Sequence, residues 1–107
     1  MEILTQKVGA NYIIKLRGEL DASTAESVEK TLNEVVKQEP EQIQIDCKEL
    51  KYISSRGLGV FISRFQEIND RQIRFYLYNL SEQVWYVFKV LGLDELMDLR
   101  SDRMVKD

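Results

Sequence analysis

Residues 42–68 read QIQIDCKELKYISSRGLGVFISRFQEI, and a change of hydrophobic period inside them decides the fold. Over Gln42 to Cys47 apolar and polar residues alternate strictly, which puts Ile43, Ile45 and Cys47 on one face of a β-strand. From Ser54 or Ser55 the period lengthens. Leu58, Phe61, Ile62, Phe65 and Ile68 recur at helical spacing as one apolar stripe, and Asn69-Asp70 end the segment.

The same two periods extend outward in both directions. Downstream, Ile73, Phe75 and Leu77 alternate with Arg74, Tyr76 and Tyr78 as a strand. Ser81 can cap a further helix carrying Val84, Val87, Phe88 and Leu91, with Gly92 suited to its C-terminal stop. The stretch from Asp94 to Asp107 reads as a short helix or edge segment. Upstream, Tyr12 to Arg17 (YIIKLR) is a β-branched run that stops at Gly18. A preceding strand, Ile3 to Val8, joins it through a hairpin turn at Gly9-Ala10-Asn11. Ser23-x-x-Glu26 has the form of a capping box at a helix start. Ala25, Val28, Leu32, Val35 and Val36 form that helix's apolar stripe, while Glu26, Glu29, Lys30, Glu34 and Lys37 fall off it toward water.

The element order is therefore β-β-α-β-α-β-α with a short tail, read as a single domain over residues 1–107. Strands separated by amphipathic helices pair in parallel through right-handed crossovers. Each helix has only one apolar stripe, so the expected fold is α/β: a small mixed β-sheet with helices packed on one face.

Composition narrows the function. Lys and Arg number 15 against 18 Asp and Glu, giving a net charge of −3 and no basic excess for nucleic acid. The absence of histidine removes Ser-His-Asp and Cys-His catalysis, H-E-x-x-H zinc sites and the usual base near neutral pH. An enzyme is not expected, nor a metal or a cofactor. Cys47 is the single cysteine and cannot form an internal disulfide, which suits a reducing compartment. The segment after Met1 lacks a basic region followed by an apolar core, and no apolar run approaches the roughly 18–20 residues that span a bilayer. A cytoplasmic protein without membrane contact is the expectation.

The unusual stretch is Ser54-Ser55-Arg56-Gly57-Leu58-Gly59, two serines at a helix start followed by two glycines in its first turns. Glycine costs about 1 kcal/mol relative to alanine inside a helix, so two need a reason. Either a serine caps the helix and the glycines permit close helix–sheet packing, or the exposed N–H groups form an anion site. Neither G-x-x-x-x-G-K-[ST] nor G-x-G-x-x-G is present, so a nucleotide loop has little support.

This run resembles the helix-start motif of STAS domains, in particular the bacterial anti-sigma-factor antagonists, which read Asp-Ser, then Ser, Thr or Ala, then Gly-Leu-Gly. Gly18-Glu19-Leu20-Asp21 resembles the family's turn before its first helix. Ile43-Gln44-Ile45-Asp46 with Leu50 resembles its third strand, and Val90-Leu91-Gly92-Leu93-Asp94 its L-x-G-L-D segment. The resemblance implies that Ser55 is a phosphoacceptor, modified by an anti-sigma factor with serine kinase activity and reset by a phosphatase. It implies that the unphosphorylated form sequesters that kinase and frees a sigma factor. Asp21, Asp46, Gly57 and Gly59 would support the site, and Ser54, Arg56, Leu58 and Arg64 would meet the partner. Ser54 stands where the family has Asp, and Arg56 where it has a small residue, a local charge change of +2. Ser54 thereby becomes an alternative acceptor. A STAS scaffold that binds a partner constitutively, or a small-ligand domain using Asp21, Asp46 and Ser55, are the competing readings. In that last reading the same oxygens, with Ser54, would suit Mg²⁺.

Three further features have bland alternatives. Cys47 reads as a small core residue. Arg56, Arg64, Arg71 and Arg74 form either a solvated face or a patch for an acidic partner. Trp85, Tyr86 and Phe88 read mostly as core, with Tyr76, Tyr78 and Trp85 able to leave an aromatic patch.

Overall fold

A computed structural model describes residues 1–101. Strands β1 (Glu2–Val8) and β2 (Asn11–Leu20) are followed by helix α1 (Ala25–Lys37), strand β3 (Gln42–Ile53), helix α2 (Ser55–Asp70) and strand β4 (Arg74–Leu80). Helix α3 (Glu82–Val90), one 3₁₀ turn (Leu93–Glu95) and strand β5 (Asp98–Ser101) complete it. The five strands form one sheet in chain order; β1 runs antiparallel to β2, and β2 through β5 run parallel. The tail thus adds both a short helix and an edge strand, and residues 102–107 of the segment read from Asp94 lie outside the described residues.

Register explains the layering. Ile14, Ile45 and Leu77 lie side by side across β2, β3 and β4, all buried with Leu16, Ile43 and Cys47. The apolar stripes of α1 (Ala25, Val28, Leu32, Val35, Val36) and α2 (Leu58, Phe61, Ile68) complete this core, with Phe88 of α3. The next row, Lys15, Asp46 and Tyr78, points to the opposite face, because side chains alternate along a strand. Helices therefore cover one face of a mixed sheet, as the single stripes predict.

Several sequence readings need correction. Gly18 does not end its strand. It sits at φ +113 between register shifts after Lys15 and Gly18, and β2 continues to Leu20. At each shift β3 spends one residue more than β2, and Gly18 faces this bulged stretch at a positive φ that only glycine enters without strain. Likewise β3 runs to Ile53, not Cys47, alongside the extended β2. The Ser23–Glu26 capping box does not form. Thr24 precedes α1 without a side-chain cap, since its hydroxyl and Ser23's are both engaged by the turn before the helix. Ile62, Tyr86 and Leu91 are exposed rather than core. Ile62 sits beside the fully buried Phe61, and adjacent helix positions are about 100° apart. Tyr86 is two positions, about 200°, from both Val84 and Phe88, and Leu91 lies past the end of α3 as its C-cap.

Candidate functional site

Leu20 and Ile53 are register partners at the ends of β2 and β3, so the turn beginning at Asp21 and the helix beginning at Ser55 emerge side by side. The Ser54 amide donates to the Leu20 carbonyl at 2.9 Å and ties the two ends together. The Asp21 Oδ1 accepts from both the amide (2.9 Å) and the hydroxyl (2.7 Å) of Ser23. The Thr24 hydroxyl accepts from the Asp21 amide at 2.9 Å and donates to the Glu19 carbonyl at 2.8 Å. These bonds, the Ser23 hydroxyl foremost and its amide next, hold the Asp21 carboxyl below the usual carboxylate range. Asp21 therefore shapes the loop beside the serine pair through Ser23 and Thr24.

The two serines have different jobs. Ser54 is extended (φ −99, ψ 174) and its Oγ accepts from the Gly57 amide at 3.2 Å, making it the N-cap of α2. Aspartate and serine cap about equally well, so Ser54 fills structurally the place where the resemblance puts Asp. Ser55 is the first helical residue and is exposed, as is Arg56, whose side chain has no ion-pair partner among the described residues.

The glycines also separate. A Cβ on Gly57 would lie 2.7 Å from both the Cγ and the carbonyl oxygen of Leu20 and 3.2 Å from Ile53 Cγ1, so close packing against the sheet demands glycine there. A Cβ on Gly59 would meet nothing within 4 Å.

Other candidates fall elsewhere. Asp46 is 9% exposed on the helix-free face, where its Oδ1 accepts from the Lys48 amide (3.0 Å) and Asn79 Nδ2 (3.2 Å). Ile53 lies seven residues further along β3, about 23 Å of extended chain, so Asp46 does not join Ser55 at one sheet end. The bulge-lengthened strand, invisible to composition, is the reason. Burial and the Asp46 charge push its neighbour Tyr78 up to about 12. Among the described residues no three His, Cys, Asp or Glu side chains gather to hold a metal. Leu58 is 2% exposed and faces the core, so it cannot meet a partner. Arg64 lies on the flank of α2 toward α1, bonded to Asn33 and, at 3.1 Å, to Glu67, which also pairs Arg71 at 3.3 Å. Of the predicted basic face, Arg64 and Arg71 thus share one carboxylate, while Arg56 and Arg74 have no ion-pair partner among the described residues. Cys47 is buried, which raises its thiol pKa well above the free value.

Sequence reasoning missed Ile62 and Tyr52, exposed at 48% and 51% close to the serine pair in sequence. For Ile62 a signal existed: Leu58, Phe61, Phe65 and Ile68 already complete the stripe at spacings of three and four, leaving Ile62 beside it.

Taken together, the β2 turn, the capped α2 start and the helix-on-one-face sheet define a class. The STAS domain family profile matches residues 2–104, and the chain belongs to that family. Within it, the chain is 33% identical over 88 residues to the anti-sigma-B factor antagonist of Listeria monocytogenes, covering 82% of this chain and 77% of that one. Its fold is similar to the anti-sigma factor antagonist SpoIIAA in unphosphorylated form, with TM-score 0.79 and 25% identity over 95% of this chain and 90% of that one. The phosphorylated form of SpoIIAA, the Bacillus cell fate determinant, superposes with TM-score 0.72 at 24% identity, over 95% and 94% of the two chains. No helix among the described residues is long and apolar enough to cross a membrane.

Proposed function

We propose that this chain is an anti-sigma-factor antagonist, a protein-binding switch without catalysis of its own. In its unphosphorylated state it sequesters a kinase-type anti-sigma factor in the cytoplasm and so releases a sigma factor. Ser55 is the acceptor, and a phosphatase returns it to the binding state. The observation that carries this reading is the division of labour between the serines. Ser54 has its hydroxyl committed to the Gly57 amide, whereas Ser55 stands exposed at the first position of α2. That division favours Ser55 over Ser54 as the acceptor. The likeness to SpoIIAA, a protein known in both phosphorylated and unphosphorylated forms, supports a switch of this kind.

The chemistry is consistent with a surface switch. A phosphoserine adds about −1.5 to −2 charges at pH 7. At a helix N-terminus these charges meet the positive end of the helix dipole, so the domain tolerates them. The change is then read by the partner, through charge and steric conflict at the α2 tip. The neutral Ser54 and cationic Arg56 soften the local field further than an Asp and a small residue would.

The test is incubation with the host's anti-sigma factor and ATP, followed by mass spectrometry. One phosphate on Ser55 in the wild type, and none on Ser55→Ala, is expected. An unmodified wild type, or equal modification of Ser55→Ala, removes the switch. Undiminished binding after modification would favour constitutive docking instead.

A further inference from the structure

We infer that Gly59 and Ile62, on the outer flank of α2, form the seat for an apolar side chain of the anti-sigma factor, extending its interface down the helix from Ser55. This rests on the proposed role as an anti-sigma-factor antagonist.

The first observation concerns Gly59. It lies in the second turn of α2, has ordinary helical backbone, and a Cβ there would meet nothing within 4 Å. The fold therefore has no use for glycine at this position, in contrast to Gly57, where the sheet fills the space. Glycine is among the poorest helix formers, and an alanine would fit and strengthen the helix. A bare Cα at this point leaves room for something outside the chain.

The second observation is independent. Ile62 is 48% exposed, although the buried stripe of α2 is complete without it. At 3.6 residues per turn, Ser55, Gly59 and Ile62 fall within an arc of about 60° and a rise of about 10 Å. Arg64, Glu67 and Arg71 occupy the flank toward α1, where they bond one another and Asn33, so that side is already satisfied. The free flank thus carries the exposed serine, a glycine the fold does not require, and an isoleucine the core does not use. Continuity with Ser55 selects the occupant, because a partner that contacts the α2 tip passes over Gly59 before reaching Ile62. An aliphatic or aromatic side chain set against the Gly59 Cα and flanked by Ile62 fits that surface. Phosphate on Ser55, on the same arc, would then stand at the entrance to the seat.

The experiment pairs thermal unfolding with binding of the host's anti-sigma factor to wild type, Gly59→Ala and Ile62→Ala. Gly59→Ala should raise Tm by about 2–8 °C and weaken binding at least tenfold. A purely structural residue would not give those opposite signs. Ile62→Ala should weaken binding with Tm within about 2 °C of wild type. Binding within twofold of wild type for both variants overturns the inference, as does a lower Tm for Gly59→Ala, which would mean the fold needs the glycine. A wild type that fails to bind the anti-sigma factor overturns the proposed function itself, and is distinguished by that control.

Discussion

Replacing Gly57 with alanine tests the packing that places the serine pair. The added Cβ would stand 2.7 Å from Leu20 Cγ and from the Leu20 carbonyl oxygen, where ordinary contact begins at 3.4 Å. One partner must give by 3.4 − 2.7 = 0.7 Å. Neither gives freely: Leu20 is fully buried, and its carbonyl accepts the Ser54 amide at 2.9 Å. Overpacking of this kind costs about 1–3 kcal/mol. Relief of glycine's helical penalty returns up to about 1 kcal/mol, less in a first turn than in mid-helix. The net expectation is a loss of about 1–2 kcal/mol. In a domain of this size that lowers Tm by roughly 4–16 °C, at about 4–8 °C per kcal/mol. Urea unfolding followed by far-UV circular dichroism should show an earlier midpoint with an unchanged slope. If Gly57→Ala unfolds at or beyond the wild-type midpoint, the close approach of α2 to β2 is not what demands glycine there.

Ser54→Ala removes the N-cap bond to Gly57 and should cost about 1 kcal/mol in denaturant unfolding; Ser55→Ala, with no such bond, should stay within about 0.5 kcal/mol. Equal losses in the two would contradict the separation of roles. Tyr78 should titrate by absorbance near pH 12, its phenol kept neutral first by burial and then by Asp46, and Asp46→Asn should bring the midpoint down. Because the folded pKa is raised, this tyrosine's contribution to stability is full below about pH 10, the unfolded value, and is lost as pH rises toward about 12. Cys47, buried with a raised thiol pKa, should resist iodoacetamide in the folded protein and react once denaturant is added. Rapid labelling under native conditions would mean the core opens around β3.

Element order, the single apolar face of each helix and the special character of residues 54–59 were all legible in the sequence. These properties are local: periods of two and of three to four follow from the geometry of one strand or one helix, and Ser54 caps through an amide three residues away. What the sequence could not reveal depends on pairs of residues distant along the chain. The bulges arise from register between β2 and β3, and the pairing that continues past them brings Asp21 to the Ser54 end, well beyond Asp46. The two glycines are indistinguishable by pattern. Only the position of Leu20 and Ile53 shows that Gly57 belongs to the fold and that Gly59 does not. Leu58 and Ile62 are likewise equivalent in hydrophobicity, and the direction of the sheet from the α2 axis buries one and exposes the other. By itself the sequence determined a one-sided mixed α/β domain with a pair of serines at a helix tip. The surface on which a partner can act was decided by tertiary packing, because exposure is a property of what lies across from a side chain rather than of what lies beside it in the chain.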